Sequence, residues 1–250
     1  MTLSLTGARS ELGRCFSGHA VRGKVHVNIA GQQANTLLSD GHAWKDFERI
    51  ALDGVRRALQ ADATMLVHAS CALVLGEPRL DPLRSHTEVI LECERLVLAA
   101  PRPACVVRLG YLYGPESRDL KLYRDAFRLG RPYWSGPPQA LQYHLHQHDA
   151  VDALLAAAQR RNAGKILYAT DGHPLSFMRF MDEFAHQIGR RHPLHIPALA
   201  APLMRVIIRK EHMQQAALAM PPKAPKPSVP GWRPRYGDYR VGLAQAIASW

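Results

Sequence analysis

Short apolar segments alternate with amphipathic segments along most of this chain, and this alternation constrains the fold more than any other feature. The apolar segments have the length of strands, and hydrophobic residues recur at helical spacing between them. The predicted strands are Leu3–Leu5, Lys24–Ile29, Met65–His68, Ala104–Leu109 and Lys165–Tyr168. The predicted helices are Phe47–Gln60, His86–Ala100, Leu120–Arg128, Ala150–Arg160 and Ser176–Ile188. This order is typical of βαβ units, so the sequence predicts an α/β fold with a parallel sheet.

Length and charge limit the classes of partner. The 250 residues suffice for one domain, or for one domain with a small appendage, and the net charge of +11 favours anionic partners such as dinucleotides. We predict no nucleic-acid partner, because no recognition motif accompanies the basic residues. No apolar run is long enough for a membrane span, and the N-terminus does not have the pattern of a secretory signal. Four cysteines without a CxxC pair then fit a reducing compartment, so we expect a cytoplasmic protein.

Four fragments occur in a fixed order along the chain. They are LTGARSELG from Leu5, HASCALVLGE from His68, RLGYLYGP from Arg108 and HLHQHDAVDAL from His144. Together they resemble the extended short-chain dehydrogenase/reductase family, the NAD-dependent epimerase/dehydratase group. The resemblance implies a Rossmann-like core over residues 1–170, which includes a cleft-lining segment at 111–149. It also implies that residues 171–250 mainly form a small C-terminal substrate-type subdomain with a basic, proline-rich tail.

The first fragment resembles the TGxxGxxG turn of that family. Glycine in such a turn lets the backbone approach a pyrophosphate. Gly7 and Gly13 are in register, whereas Ser10 replaces the middle glycine, and a tight turn without a ligand explains the segment almost as well. Arg9 could meet a 2′-phosphate or simply face solvent. The cofactor-binding residues implied by the resemblance are Thr6, Gly7, Arg9, Ser10, Gly13 and Arg108.

The spacing after this turn is too short for a complete family fold. The first half of that fold needs about 90 residues, at roughly 30 per βαβ step. Here VHVNIAG, from Val25, already resembles the family's fourth strand. The second and third strands are therefore predicted to be missing, together with the residue that reads the adenosine ribose. We expect binding of NAD or NADP to be weakened or absent. The first strand should lie at or near a sheet edge, which favours a homodimer or covering by another element.

The family's catalytic positions hold unusual residues. Counting from Gly76 and Glu94 puts Cys71, His86 and Ile90 where the family has serine, tyrosine and lysine. Histidine can transfer a proton near neutral pH and cysteine can form weak hydrogen bonds, but isoleucine supplies neither charge nor donor. A Cys71–His86 dyad is one alternative, and an inert buried cysteine is the other. The predicted catalytic residues are His86, Cys71 and Ser70.

The cleft-lining segment supplies the remaining candidates. By resemblance, Tyr111, Tyr113 and His146 would bind substrate. His144, His146 and His148 would share one face of a strand. Alternate strand positions are about 6–7 Å apart, which makes ligation of one metal by all three awkward. We therefore predict no metal site and a half-exposed strand face.

These observations leave two functions open. One is a divergent NAD(P)-dependent epimerase/dehydratase-like protein with altered chemistry, which acts on or binds a small-molecule or nucleotide-linked substrate. The other is a catalytically inactive relative that uses the same fold as a binding or assembly module.

Overall fold

The computed structural model describes residues 2–21, 23–32, 46–75, 83–190, 193–196, 200, 203 and 226–250. In chain order its strands are β1 (Thr2–Thr6), β2 (Lys24–Asn28), β3 (Met65–Cys71), β4 (Ala104–Leu109), β5 (Tyr111–Tyr113), β6 (Tyr133–Trp134), β7 (Leu141–Gln142), β8 (His144–His146), β9 (Ile166–Ala169), β10 (Leu175–Ser176) and β11 (His195–Ile196). Its helices are α1 (Glu11–Arg14), α2 (Phe47–Gln60), α3 (Leu83–Leu98), α4 (Arg118–Arg128), α5 (Gln147–Ala157), α6 (Phe177–Gln187) and α7 (Tyr239–Ala248). Most of the basic, proline-rich tail predicted from the sequence lies outside the described residues.

The central element is a five-stranded parallel sheet with the order β1-β2-β3-β4-β9. The α/β fold with a parallel sheet is thus confirmed. Each predicted strand and helix is present with small shifts at its ends, and α2 and β4 have the predicted bounds. β1 lies at one edge, and no strand in the described part of the chain pairs with its outer side. Every helix in the described ranges is too short or too polar to span a bilayer.

Two hydrophobic cores cover the two faces of the sheet, because successive strand residues point to opposite sides. Leu66 of β3 belongs to the core that includes α2 and α3, and its neighbour Val67 belongs to the core that includes α1 and α5. β4 repeats the pattern, since Val106 packs on the first face and Val107 on the second. The helices are therefore divided between the two faces.

The connection between β1 and β2 has the opposite hand to the two connections that follow. All three connections step in the same direction across the sheet. However, α1 packs through Leu12 on the face opposite to α2 and α3. Right-handed connections predominate strongly, so β1–α1–β2 has the rarer left hand, and the connection from β4 to β9 shares it because α5 packs on the same face as α1. In a complete dinucleotide-binding sheet, α1 leads to a strand on the other side of β1. Here α1 packs on the same face as in that fold, but the strand that follows it, β2, lies on the other side of β1.

Small strand pairs extend from the carboxyl end of β4. β5 pairs with β8, β7 with β10 and β6 with β11. The C-terminal helix α7 packs against α6 and β8. Asp149 of α5 accepts hydrogen bonds from the backbone N–H groups of Arg235 and Tyr236, both at 2.8 Å. The C-terminal segment is thereby fixed over the carboxyl edge of the sheet.

Candidate functional site

The turn after β1 requires glycine at both family positions. Gly7 has φ = +94°, and a Cβ placed on it would lie 3.1 Å from the Ile29 carbonyl carbon. A Cβ on Gly13 would overlap the Ala8 carbonyl oxygen. The turn therefore lies close to the end of β2 and passes tightly under the start of α1. A side chain at Gly7 or Gly13 would push these segments apart.

Ser10 and Thr6 direct their hydroxyl groups into the protein. The Ser10 Oγ accepts a hydrogen bond from the Gly13 N–H at 3.1 Å and so caps α1. The Thr6 Oγ1 lies 2.9 Å from the His26 Nε2, which joins the edge strand to β2. Arg9 is exposed, and its carbonyl oxygen accepts a hydrogen bond from Arg14. The surface available to a ligand at this turn is thus mainly backbone.

Glu11 is a feature of the turn that sequence reasoning missed. It is the first residue of α1, and burial raises the pKa of its carboxyl group. Hydrogen bonding to the Arg118 backbone opposes this shift. A charged carboxylate so close to the turn would repel a phosphate. The raised pKa favours the neutral, protonated form of Glu11, which does not repel an anionic ligand. Its position in the GxxGxxG pattern was visible in the sequence, but its burial was not.

Ser70, Glu94 and Arg108 form a buried network between the sheet and α3. The Ser70 hydroxyl donates to Glu94 Oε1 at 2.5 Å, and Arg108 donates to both carboxylate oxygens at 2.8 and 2.6 Å. The Arg108 guanidinium also donates to the Tyr168 hydroxyl at 3.3 Å. Two predicted site residues, Ser70 and Arg108, therefore use their polar groups for hydrogen bonds within this network. Glu94 had served only to set the register of the helix, and its partners were not predicted.

The three residues predicted to be catalytic have different surroundings. Cys71 is buried at the end of β3, and Ile90 is buried in the same core at the lysine position. His86 is half-buried and lines an open cavity of about 500 Å³ between α2 and α3. Its ring lies 5.2 Å from the Phe47 ring. Neither Ser70 nor Cys71 is among the described residues that line this cavity, so the structure does not bring the three together there.

The predicted substrate residues lie on the β5–β8 pair. Tyr111 lies opposite His144 and Tyr113 lies opposite His146. All four are buried. Burial lowers the pKa of His144 to about 3, and burial together with the neighbouring His148 lowers the pKa of His146 to about 3. The two histidine rings lie against Phe180 of α6 and against Tyr236, and are not open to solvent.

The predicted half-exposed histidine face is wrong. The His144 ring stacks on the Phe180 ring at 4.5 Å, and the Tyr236 ring lies 4.1 Å from the His146 ring. His148 is not on the strand at all but in the first turn of α5. Segments distant in sequence cover this face, which no local pattern could indicate. Among the residues that the structure describes, no three His, Cys, Asp or Glu side chains are grouped as metal ligands.

Asp171 is a second residue that sequence reasoning missed. It follows β9 at the carboxyl edge of the sheet, and its Oδ1 accepts a hydrogen bond from the His173 N–H at 3.1 Å. Its Oδ2 is buried without a hydrogen-bond partner among the described residues. Burial raises the pKa of Asp171 to about 8. The available signal was an acidic residue directly after an apolar strand, at the edge where ligands of parallel sheets bind.

Comparison with known proteins identifies the type of fold. No family model matches the chain. A 3-diazoavenalumate denitrifying reductase from a Streptomyces species is 29% identical over 209 residues, which cover 76% of this chain and 67% of that protein. The crystal structure of the human epimerase family protein SDR39U1 (isoform 2) with NADPH superposes with a TM-score of 0.75 at 14% identity, over the full length of both chains. MoeE5 in complex with UDP-glucose and NAD gives 0.66 at 21% identity, over 100% of this chain and 98% of that chain.

These similarities confirm the resemblance drawn from the four sequence fragments. The fold is the Rossmann-like fold of the extended short-chain dehydrogenase/reductases, the NAD(P)-dependent epimerase/dehydratase group. In sequence, the chain is similar to a reductase and spans about two thirds of that relative's length.

Proposed function

We propose that the chain binds a nicotinamide dinucleotide at the carboxyl edge of its sheet and acts as a divergent reductase on a small or nucleotide-linked substrate. The observation that carries the proposal is the turn after β1. Its backbone excludes a Cβ at Gly7 and at Gly13, although the described sheet lacks the second and third strands of the family fold. The reductase relative and the NADPH-containing human structure support the same assignment.

The residues of the turn fit the pyrophosphate of such a cofactor. The close packing of Gly7 against β2 leaves its backbone as the surface that a phosphate would meet. Ser10 would border the same group. However, α1 has only four residues and its dipole is correspondingly small, so we expect weak binding. When bound, the cofactor would supply hydride chemistry.

His86 is the proposed acid or base. Among the described residues, His86 lines the open cavity between α2 and α3, whereas Ser70 and Cys71 are buried. Arg49 and Arg56 line the same cavity, each paired with an aspartate at 3.5 and 2.9 Å. Three carboxylates, of Asp46, Glu48 and Asp53, line it as well, so the cavity is polar but its described lining gives no excess of positive charge. Ser70 is proposed as a positioning residue that holds Glu94.

A specific observation also favours a second candidate, a binding module without catalysis. Ile90 is buried at the lysine position, and the Ser70 hydroxyl is held by Glu94. Neither side chain can then assist proton transfer at a bound nicotinamide. In this alternative, the dinucleotide or the substrate would bind without hydride transfer.

Ligand binding and turnover separate these candidates. NADH and NADPH are titrated against the protein while thermal unfolding is followed. Ligand at 100 times its Kd stabilises a protein by about 2.7 kcal/mol. Stabilisation by ligand that disappears in Gly13→Ala but persists in Gly18→Ala supports the dinucleotide site. A Cβ on Gly18 meets no atom within 4 Å, and the strain of its φ of +79° is removed from the comparison by measuring each variant with and without ligand. No stabilisation at millimolar concentrations contradicts it.

A second measurement tests catalysis. NADPH oxidation is followed with a panel of small carbonyl compounds and nucleotide sugars. Oxidation that falls at least tenfold in His86→Phe supports the reductase, since general acid–base catalysis contributes about 10²–10⁴-fold. Binding without oxidation of any panel member favours the non-catalytic module. Oxidation at an unchanged rate in His86→Phe removes the role proposed for that residue.

A further inference from the structure

We infer that the described part of the chain holds only the nicotinamide and phosphate half of its dinucleotide and offers the adenosine half no built surface, so reduced nicotinamide mononucleotide (NMNH) should bind about as well as NADH. This inference rests on the dinucleotide binding proposed above. It concerns which part of that ligand the chain recognises.

The first step is the position of β1. In a dinucleotide-binding sheet the first strand is internal, and the adenosine lies over the strands on the side away from the fourth strand. An acidic residue about 20 positions beyond the glycine turn reads its ribose. In this chain β2 pairs with one side of β1, and no described strand pairs with the other. The surface on which adenosine would rest is absent from this edge of the described sheet.

The second step is the length of chain available to build that surface. α1 ends at Arg14 and β2 begins at Lys24, so residues 15–23 are all that joins them. A βαβ step takes roughly 30 residues. The connection cannot contain the second and third strands of a complete fold, which lie together on one side of the first strand. The short connection also explains the left-handed path from β1 through α1 to β2. In a complete fold, α1 leads to a strand on the other side of β1, whereas here the chain goes from α1 directly to β2.

The third step is that the other half of the sheet is complete. β2, β3, β4 and β9 pair continuously in parallel register, so their carboxyl ends lie along one edge of the sheet. Gly7 packs against Ile29 and Ala30 at the end of β2. The strands that underlie the nicotinamide half of such a ligand are thus present. The loss is confined to one end of the binding crevice.

Arg9 does not replace the missing surface. Its side chain is exposed, and only its carbonyl oxygen has a hydrogen-bond partner among the contacts of the turn, namely Arg14. An exposed cation attracts the 2′-phosphate of NADPH only weakly in salt. We therefore expect NADH and NADPH to bind with similar affinity.

The test compares NMNH, NADH and NADPH by isothermal titration calorimetry at one salt concentration, with AMP as a competitor. We expect the three Kd values to agree within about threefold, which corresponds to about 0.7 kcal/mol. AMP at millimolar concentration should displace none of them. Gly13→Ala should weaken NMNH and NADH by the same factor, whereas Gly18→Ala should change neither. Arg9→Ala should leave the ratio of NADH to NADPH affinity unchanged.

The possible failures are distinguishable. NADH binding that is at least about thirtyfold tighter than NMNH binding, or displacement of NADH by AMP, reveals an adenosine site and overturns this inference while the proposed function stands. A selective loss of NADPH affinity in Arg9→Ala has the same meaning. If neither the mononucleotide nor the dinucleotides bind at millimolar concentration, both the inference and the proposed function are wrong.

Discussion

Replacing Glu94 with glutamine removes the charge that Arg108 and Ser70 share between α3 and the sheet. The carboxylate receives two hydrogen bonds from Arg108 and one from Ser70, all between 2.5 and 2.8 Å. The exposed fractions of the Glu94 and Arg108 side chains are 4% and 13%, so solvent screens the pair weakly. Removing one partner of a buried pair costs about 3–5 kcal/mol, because it leaves the other charge uncompensated. We expect Glu94→Gln to lower the free energy of unfolding by about that amount.

Urea unfolding followed by tryptophan fluorescence measures this loss. Glu92→Gln is the matched control, because Glu92 lies on the same helix and binds Arg95 through both oxygens at 2.6 and 2.7 Å, but in solvent. An exposed pair contributes at most about 1 kcal/mol. The double variant Glu94→Leu with Arg108→Leu should be more stable than Glu94→Leu alone or Arg108→Leu alone, because neither buried charge is left without its partner. Equal destabilisation by Glu94→Gln and Glu92→Gln would refute the reasoning.

Three further predictions follow from buried groups and from the glycine turn. Since the pKa of Asp171 is raised to about 8, the folded protein keeps a proton that the unfolded chain loses, and stability should fall as pH rises from about 4 to 8. Asp171→Asn should flatten this fall in pH-dependent urea unfolding, and an unchanged slope would contradict the assignment. Burial lowers the pKa of His68 to about 4, so between pH 6.5 and 4 the unfolded chain binds a proton that the folded protein does not. The free energy of unfolding should therefore fall as pH falls from about 6.5 to 4, by up to about 1.4 kcal/mol per pH unit. His68→Gln should reduce this loss, and a fall as steep as in the wild type would disprove the reasoning. Gly13→Ala should lower the thermal midpoint more than Gly18→Ala, because a Cβ on Gly13 overlaps backbone, whereas Gly18→Ala carries only the strain of its positive φ of +79°. Calorimetry in which the two variants are equally stable would show that the turn is less tight than described.

Local patterns in the sequence predicted the sheet and its helices well. The helix at Phe47–Gln60 has its predicted bounds, because its buried residues recur at helical spacing. The edge position of β1 followed from a count of residues, since too few separate Leu5 from Val25 to form two more strands. Both inferences need only chain length and periodicity. The opposite hand of the first connection was not predicted, because it depends on which face α1 packs against.

The surroundings of the site could not be read from the sequence, because they depend on pairs that are distant along the chain. Ser70 meets Glu94 across 24 residues, and His144 is covered by Phe180. The same applies to His86, whose cavity is formed with α2 and does not include Cys71 among its described lining residues. Residue types at family positions identify candidates. Only packing determines which of their polar groups are available to a ligand.

The most direct test of a dinucleotide site is an NMR titration of the protein labelled with ¹⁵N-glycine. The backbone amides of Gly7 and Gly13 should shift in a saturable way when NADH is added, because the proposed site is formed by their own turn. Gly130 and Gly164 serve as internal controls, since a Cβ on either would meet no atom within 4 Å and both lie outside that turn. Shifts at Gly7 and Gly13 that saturate while the controls stay fixed are the predicted result. Unmoved signals for Gly7 and Gly13 at millimolar NADH would contradict the account.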